Sequence, residues 1–317
     1  EAKLSFIAPT AGTVAKNHSL ELPVFSITLG EWRVHTGIDI SVADGADVYA
    51  AAAGEVDSQQ NKGWHIACDQ CGKCCRDRSD ILLSPLDIFH LSKATGKTGK
   101  EILEKYGDCY IGPQSNLPVV RLKYREDGNG HTTCYFLGQK DGKFYCRVHE
   151  HKPTVCRTYP LGKMQSFKKE DEKVDFKPKY FLQEDDTSGN CIGLERSRRE
   201  HVQQTLVDWV GGKEKMEVAD RYSEIFYSFT ADYGKALKLD RIKKKAFPVV
   251  LEMFFGMLGK MIYSDFDDCQ DDEQFLKKLE FNLGMALVLV KKTSENPNYI
   301  LDVLGIEHSR RPQNDAV

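Results

Sequence analysis

Four thiols fall within eight residues of this chain, in the run Cys68-Asp-Gln-Cys71-Gly-Lys-Cys74-Cys75. Spacing of the CxxC kind lets both sulfurs point into one turn of backbone, as in tetrahedral zinc sites and iron–sulfur clusters. A metal centre is therefore the first thing the fold has to accommodate. Cys134, Cys146, Cys156 and Cys191 follow at intervals that suit loops and short strands folding back to complete a site. The candidate metal ligands are Cys68, Cys71, Cys74, Cys75, Cys134, Cys146, Cys156 and Cys191, enough for one four-iron cluster, a pair of zinc ions or two smaller sites. Soft sulfur ligands suit zinc and iron–sulfur clusters alike, so the thiols do not select the metal. The adjacent Cys74-Cys75 pair favours a cluster or a binuclear site.

Five disulfides are the competing use of ten cysteines. Disulfide frameworks serve small domains without a sufficient core, whereas this chain is long and rich in helical apolar periodicity. Adjacent Cys74 and Cys75 are also awkward for two independent bridges. Cys109 and Cys269 stand apart from the pattern and read as ordinary buried or half-exposed thiols. His149, His151 and His65 read as neighbours of the ligands or solvent-facing side chains rather than ligands. Arg157 follows Cys156 directly, where a guanidinium can offset thiolate charge or donate to sulfur, and a surface salt bridge is the plain alternative.

Beyond the opening run, the chain carries Cys134-Tyr-Phe-Leu137, Cys146-Arg-Val-His149 and Lys152-Pro-Thr-Val-Cys156-Arg-Thr-Tyr-Pro160, and then Cys191 in Gly-Asn-Cys-Ile-Gly. With these motifs the chain from about residue 61 onward resembles the YkgJ-type cysteine-cluster family, described as zinc- or iron-chelating domains. Lys152 departs from that pattern, which has Arg there; the charge is kept and the planar fork is lost. The resemblance implies a cytoplasmic metal-binding protein holding an iron–sulfur cluster or zinc, since free clustered thiols persist in a reducing compartment. Some of these proteins are grouped with flagellin lysine N-methylases, which implies an alternative: S-adenosylmethionine-dependent methyl transfer to protein lysine. The sequence offers no glycine-rich strand-to-helix loop with a following acidic residue to hold that cofactor in the usual α/β manner. No catalytic residue is assigned.

Residues 6–56 differ in kind. Ala8-Pro9-Thr-Ala-Gly12, His35-Thr-Gly-Ile-Asp39-Ile, Gly45-Ala-Asp-Val-Tyr-Ala50 and Ala53-Gly54-Glu-Val56 resemble the opening half of a lysostaphin-like (LytM) zinc peptidase, an extracytoplasmic cell-wall family. In that family the His and Asp of the HxxxD element bind zinc, which implies His35 and Asp39 as vestigial ligands. The family also needs a later His-x-His to complete the metal site and move a proton. The one His-x-His here, His149 and His151, lies inside the cysteine motifs. Peptidase activity is therefore not expected, and the segment reads as an inactive fragment or peptidoglycan-binding remnant, or as a fusion.

Composition fits a folded protein of two or three domains: 317 residues, 41% hydrophobic and 10% aromatic. A formal net charge of -3 argues against a dedicated nucleic-acid binder. The basic runs 196–199 and 241–245 read as solvated helix faces. The most apolar stretch, 247–263, is too short for a membrane span and contains Glu252 and Lys260. A protein partner remains open, and the Glu1 start says nothing of the native beginning.

The expected fold is α+β: a cysteine-rich metal-binding core with short strands and a helical C-terminal region, preceded by a truncated all-β peptidase-like segment. The expected boundaries are 1–58, 59–195 and 196–317. Ser84-Pro85-Leu-Asp87 predicts a helix start and Thr98-Gly-Lys-Glu101 a capping box. Short strands are expected from Val119 to Tyr145, with a hairpin turn at Asp141-Gly142. Pro153 and Pro160 leave room only for a short helical segment around Cys156. Val202, Leu206 and Trp209 mark one apolar helix face, and Leu276, Leu279, Leu283, Leu287 and Val290 another. The aspartates of 265–272 read as a solvated connection, lacking the glycine and terminal glutamate of a calcium loop.

Overall fold

The computed structural model describes residues 63–78, 80–128, 130–170, 173–182, 191–245 and 248–305, together with four short strands nearer the start. Of those strands, of residues 165–170 and 173–177 and of Lys245 only the backbone is described. The chain divides into two compact units, Glu1–Asp57 and Ser58–Val317. In the first, β1 (Thr13–Lys16), β2 (Ser19–Ser26), β3 (Glu31–His35) and β4 (Asp39–Ser41) form two antiparallel pairs, β1 with β4 and β2 with β3. His35 closes β3 and Asp39 opens β4, but the side chains of these expected zinc ligands lie outside the described residues.

The second unit is mixed α and β, and its local elements start where short-range chemistry starts them. After β5 (Leu82–Leu83), helix α1 (Pro85–Thr95) opens on a reciprocal cap: Ser84 Oγ accepts from Asp87 N at 3.1 Å and the Asp87 carboxylate accepts from Ser84 N at 2.8 Å. Pro85 at the first helical position needs no partner for an N–H it lacks. Helix α2 (Gly99–Tyr106) opens the same way, with Thr98 Oγ accepting from Glu101 N at 3.2 Å and Glu101 accepting from Thr98 N at 2.8 Å. Strands β6 (Gly107–Ile111) and β7 (Pro118–Leu122) complete an antiparallel sheet of order β5-β7-β6.

Two hairpins follow, β8 (Tyr124–Glu126) with β9 (Thr132–Cys134), and β10 (Leu137–Lys140) with β11 (Lys143–Cys146). Asp141 and Gly142 close the second with φ of 51° and 77°, the double positive φ that a tight hairpin turn demands. A short helix, α3 (Thr154–Thr158), carries Cys156, and a long antiparallel ribbon is made by β12 (Leu161–Glu170) and β13 (Lys173–Leu182).

The rest is helical: α4 (Ile192–Arg199), α5 (Leu206–Val210), α6 (Lys213–Ala236), α7 (Leu239–Lys245), α8 (Pro248–Tyr263), α9 (Asp272–Glu295) and α10 (Tyr299–Val303). Helix α9 is the spine of this part; Leu276, Leu279, Leu283 and Val290 of its expected stripe are buried, and Leu287 is partly buried. Val202 lies outside the helix predicted to run through it, because α5 starts only after the Thr205 cap, whose side chain accepts from Asp208 N at 3.1 Å. The aspartates between α8 and α9 are also more than a solvated link. Asp267 accepts from Gly99 N at 2.7 Å at the start of α2, Asp271 accepts from Gln274 N at 2.8 Å and caps α9, and Asp272 bonds His90 at 2.8 Å. Among the described residues no helix is long and apolar enough to cross a membrane.

Two apolar clusters form. The larger runs from Ile81 to Leu301, so the cysteine-bearing hairpins and the C-terminal helices share one core. The smaller joins Trp64, Ile66, Leu161, Tyr180, Leu194, Leu206, Val210 and Met216. Each fully buried Leu, Ile or Phe contributes about 1.5–3 kcal/mol. The 68–75 run connects Ile66 of the small core to Ile81 of the large one, which sets the thiols on the seam between them.

Candidate metal centre

The 68–75 run is pinned from both sides. Gly72 adopts φ 74°, and a Cβ there would stand 2.9 Å from the Phe144 ring, so glycine is required on both counts. Phe144 of β11 donates its N–H to Gln70 O at 2.9 Å, and the Arg76 guanidinium lies 4.0 Å from the centre of its ring. The hairpin thus grips the loop, and a 3-10 turn over Lys73–Cys75 follows. On the other side Trp64 and Gln204 exchange backbone hydrogen bonds of 2.8 and 3.0 Å. His65 donates from Nδ1 to Val202 O at 3.2 Å and is used in this docking. Helix α4 closes the same side: Arg196 pairs with Asp69, and Gly193 passes so close that a Cβ would fall 1.8 Å from Ala67 O. Arg196 is therefore not the solvated cation its basic run suggests. Cys191, the N-cap of α4, is carried to the loop by this contact.

Six of the eight expected ligands, Cys68, Cys74, Cys75, Cys134, Cys146 and Cys156, line one cavity of about 500 Å³ whose walls include Ile81, Leu122, Phe136 and Val148. They arrive on five elements or loops, Cys74 and Cys75 sharing the 3-10 turn. Cys134 ends β9, and its sulfur accepts from Phe136 N at 3.4 Å; Cys146 ends β11 opposite Leu137. Cys156 is placed by α3, whose first residue Thr154 donates from N and Oγ1 to the buried Asp87 at 2.7 and 2.9 Å. One carboxylate therefore fixes the starts of both α1 and α3. Cys71 and Cys191 are not among the cavity-lining residues, but Cys71 and Cys74 both act electrostatically on Cys191. Cys109, on β6, borders a separate cavity, and Cys269 is buried between α8 and α9.

Burial sets the protonation of the metal-free thiols. It pushes Cys134 up to about 11 and raises Cys146 and Cys191. Cys156 is raised well above the usual range, first by burial and then by neighbouring Cys134, Cys74, Asp87 and Cys146. Cys74 keeps accessible surface, yet its thiol is raised, first by the hydrogen bond to Cys75 and then by burial. Binding a metal must expel these protons, because thiolate is the ligand.

Two cations line this cavity, Arg78, which is paired with Asp80, and Lys152, whereas Arg157 does not. Lys152 lines it; burial and Arg157 lower its pKa, while Cys146, Cys156 and Cys68 act to raise it. The Arg157 guanidinium donates to the carbonyls of Glu150 at 2.7 Å, Val210 at 3.3 Å and Lys152 at 3.4 Å, though its charge still bears on Cys146. The available sequence signal for Lys152 was its place in the Lys-Pro-Thr-Val-Cys156 motif, four residues before a cysteine. His149 lines the thiol cavity, and burial and then Lys152 lower its pKa. His151 turns the other way, with its ring 6.1 Å from His90 in a second, charged cavity.

The donor chemistry fits a soft metal. Thiolates on a single tetrahedral zinc, at about 2.3 Å from it, stand about 3.8 Å apart; Cys74 Sγ and Cys75 Sγ are 3.9 Å apart. Among the described residues no three His, Cys, Asp or Glu side chains are yet drawn together at metal-binding geometry, so closing the site takes side-chain rotation within the cavity. Neither the curated proteins nor the solved structures give a match. The likeness of residues 6–56 to a LytM peptidase finds no support. Residues 67–178 match the family model described as "CxxCxxCC: Putative zinc- or iron-chelating domain", a stretch that takes in the loop, the hairpins and α3.

Proposed function

We propose that this protein chelates zinc or iron through the thiolates of Cys68, Cys71, Cys74, Cys75, Cys134, Cys146, Cys156 and Cys191. The observation that carries the reading is the shared cavity: six of these thiols, from five separate elements or loops, border one largely apolar space. An apolar wall does not solvate thiolate charge, so a cation is needed there for the thiols to ionise. When bound, the metal would neutralise that charge and cross-link the 68–75 loop, the β10–β11 hairpin and α3. The protein's own part is to hold the sulfurs within reach, to release their protons to solvent and to offset residual negative charge with Lys152.

The test is metal content by mass spectrometry, with an absorption spectrum, on protein purified without oxygen. Zinc with a colourless spectrum, or iron with acid-labile sulfide and a broad band near ~400 nm, would support the reading and choose between the metals. Cys156→Ser should lose bound metal while Cys269→Ser keeps it. A folded wild-type protein free of both metals, and unable to take either up, would sink the reading.

A further inference from the structure

Helix α9 carries a second apolar stripe, on the side away from the core. Leu276, Leu279, Leu283 and Val290 are buried, yet Phe281 is 68% exposed, Met285 45% and Val288 46%. Successive residues turn by about 100°, so these three fall within about 60° of one another, in line along the helix. Gly284 lies beside them, and a Cβ there would meet nothing within 4 Å. Glycine weakens a helix interior relative to alanine, and nothing packed against this position requires it; what it permits is the close approach of another backbone. Single exposed apolar side chains are ordinary, whereas three in line beside a glycine make a face.

The charges around that face select what covers it. Lys277 and Glu280 bound it towards the N-terminus, and Lys291 and Glu295 towards the C-terminus, all exposed. Glu280, Lys291 and Glu295 have no ion-pair partner among the described residues, and Lys277 meets only Glu273, at 3.4 Å. In an antiparallel helix pair each flank meets the same flank of the other helix, and by the same turn of about 100° per residue Glu280 shares a flank with Lys291, as Lys277 does with Glu295. A twofold axis near Ala286 therefore sets Glu280 opposite Lys291 of a second copy and Lys277 opposite Glu295, at both ends of the stripe. Sliding the helices until Phe281 faces Val288 would instead oppose Lys277 to Lys292.

We propose that two copies of this chain pair through antiparallel α9 helices, with Phe281, Gly284, Met285 and Val288 at the contact and Lys277, Glu280, Lys291 and Glu295 fixing the register. The stripe from Lys277 to Glu295 is about 27 Å long. One helix face of that length makes a small interface, so the dimer should dissociate on dilution. The pairing does not depend on the chelation reading.

The experiment is sedimentation velocity on the full chain, purified without oxygen and kept reduced so that no disulfide links two copies. The expected result is a dimer at high concentration that separates on dilution. Phe281→Glu should leave a monomer with the helical circular dichroism of wild type. Lys277→Glu should weaken the dimer several-fold, and adding Glu295→Lys to it should restore the wild-type affinity. A wild-type chain that stays monomeric up to ~100 μM, or a dimer that survives Phe281→Glu, would overturn the pairing. A charge swap that fails to restore affinity would overturn the antiparallel register.

Discussion

Lys152 and Arg157 are five residues apart, one before α3 and one within it, and do different work. Lys152 stands in the cavity with the thiols of Cys68, Cys146 and Cys156 acting on its charge, whereas Arg157 faces away and ties down three backbone carbonyls. Groups that compensate a metal site's charge without touching the metal are worth about 10–100-fold in affinity. Lys152→Met is accordingly expected to weaken metal binding roughly tenfold, measured by competition with a chelator of known affinity, while Lys152→Arg restores most of it. An unchanged affinity in the methionine variant would remove Lys152 from the site. In the sequence Arg157 is the obvious candidate, because it adjoins a cysteine. Adjacency along a short helix says little about direction: successive residues are turned by about 100°, so the neighbour of a ligand points elsewhere.

At the scale of elements, much was legible. The caps at Ser84 and Thr98 and the Asp141-Gly142 turn each depend on contacts within four residues, and each forms where the sequence places it. Val202 and the aspartates of 265–272 were misread for the opposite reason. Their partners lie far away in the chain: Gln204 beside Val202 pairs with Trp64, Asp267 reaches Gly99 and Asp272 reaches His90. Helix α4 brings Cys191 to the loop by laying Gly193 against Ala67. No side chain fits there, so Gly193→Ala should push α4 off the loop at a cost of about 1–3 kcal/mol. Urea unfolding reads the loss, and faster labelling of Cys191 by a thiol reagent should accompany it. Unchanged stability with unchanged labelling would show that the contact yields easily.

Across the whole molecule, the helical C-terminal part completes the core of the cysteine-bearing part rather than trailing it, and ion pairs reinforce the join. His90 on α1 bonds Asp272 on α9, and this bond, with the charge of His90, holds the Asp272 carboxyl below the usual carboxylate range. A carboxylate depressed in the folded state contributes stability that is present above its unfolded pKa of about 3.9 and is lost as pH falls through the folded value. Asp272→Asn should therefore be less stable than wild type at pH near ~6, with the gap narrowing as the pH falls below about 3.9. Urea unfolding at the two pH values checks this, and a constant gap would assign the loss to packing instead of charge. By itself the sequence determined the helix caps, the hairpin turn and the α9 stripe, because each is written in residues a few positions apart. Only the tertiary structure decided which thiols share a cavity and that Lys152 lines it with them, because those relations depend on where two apolar cores bring distant segments together.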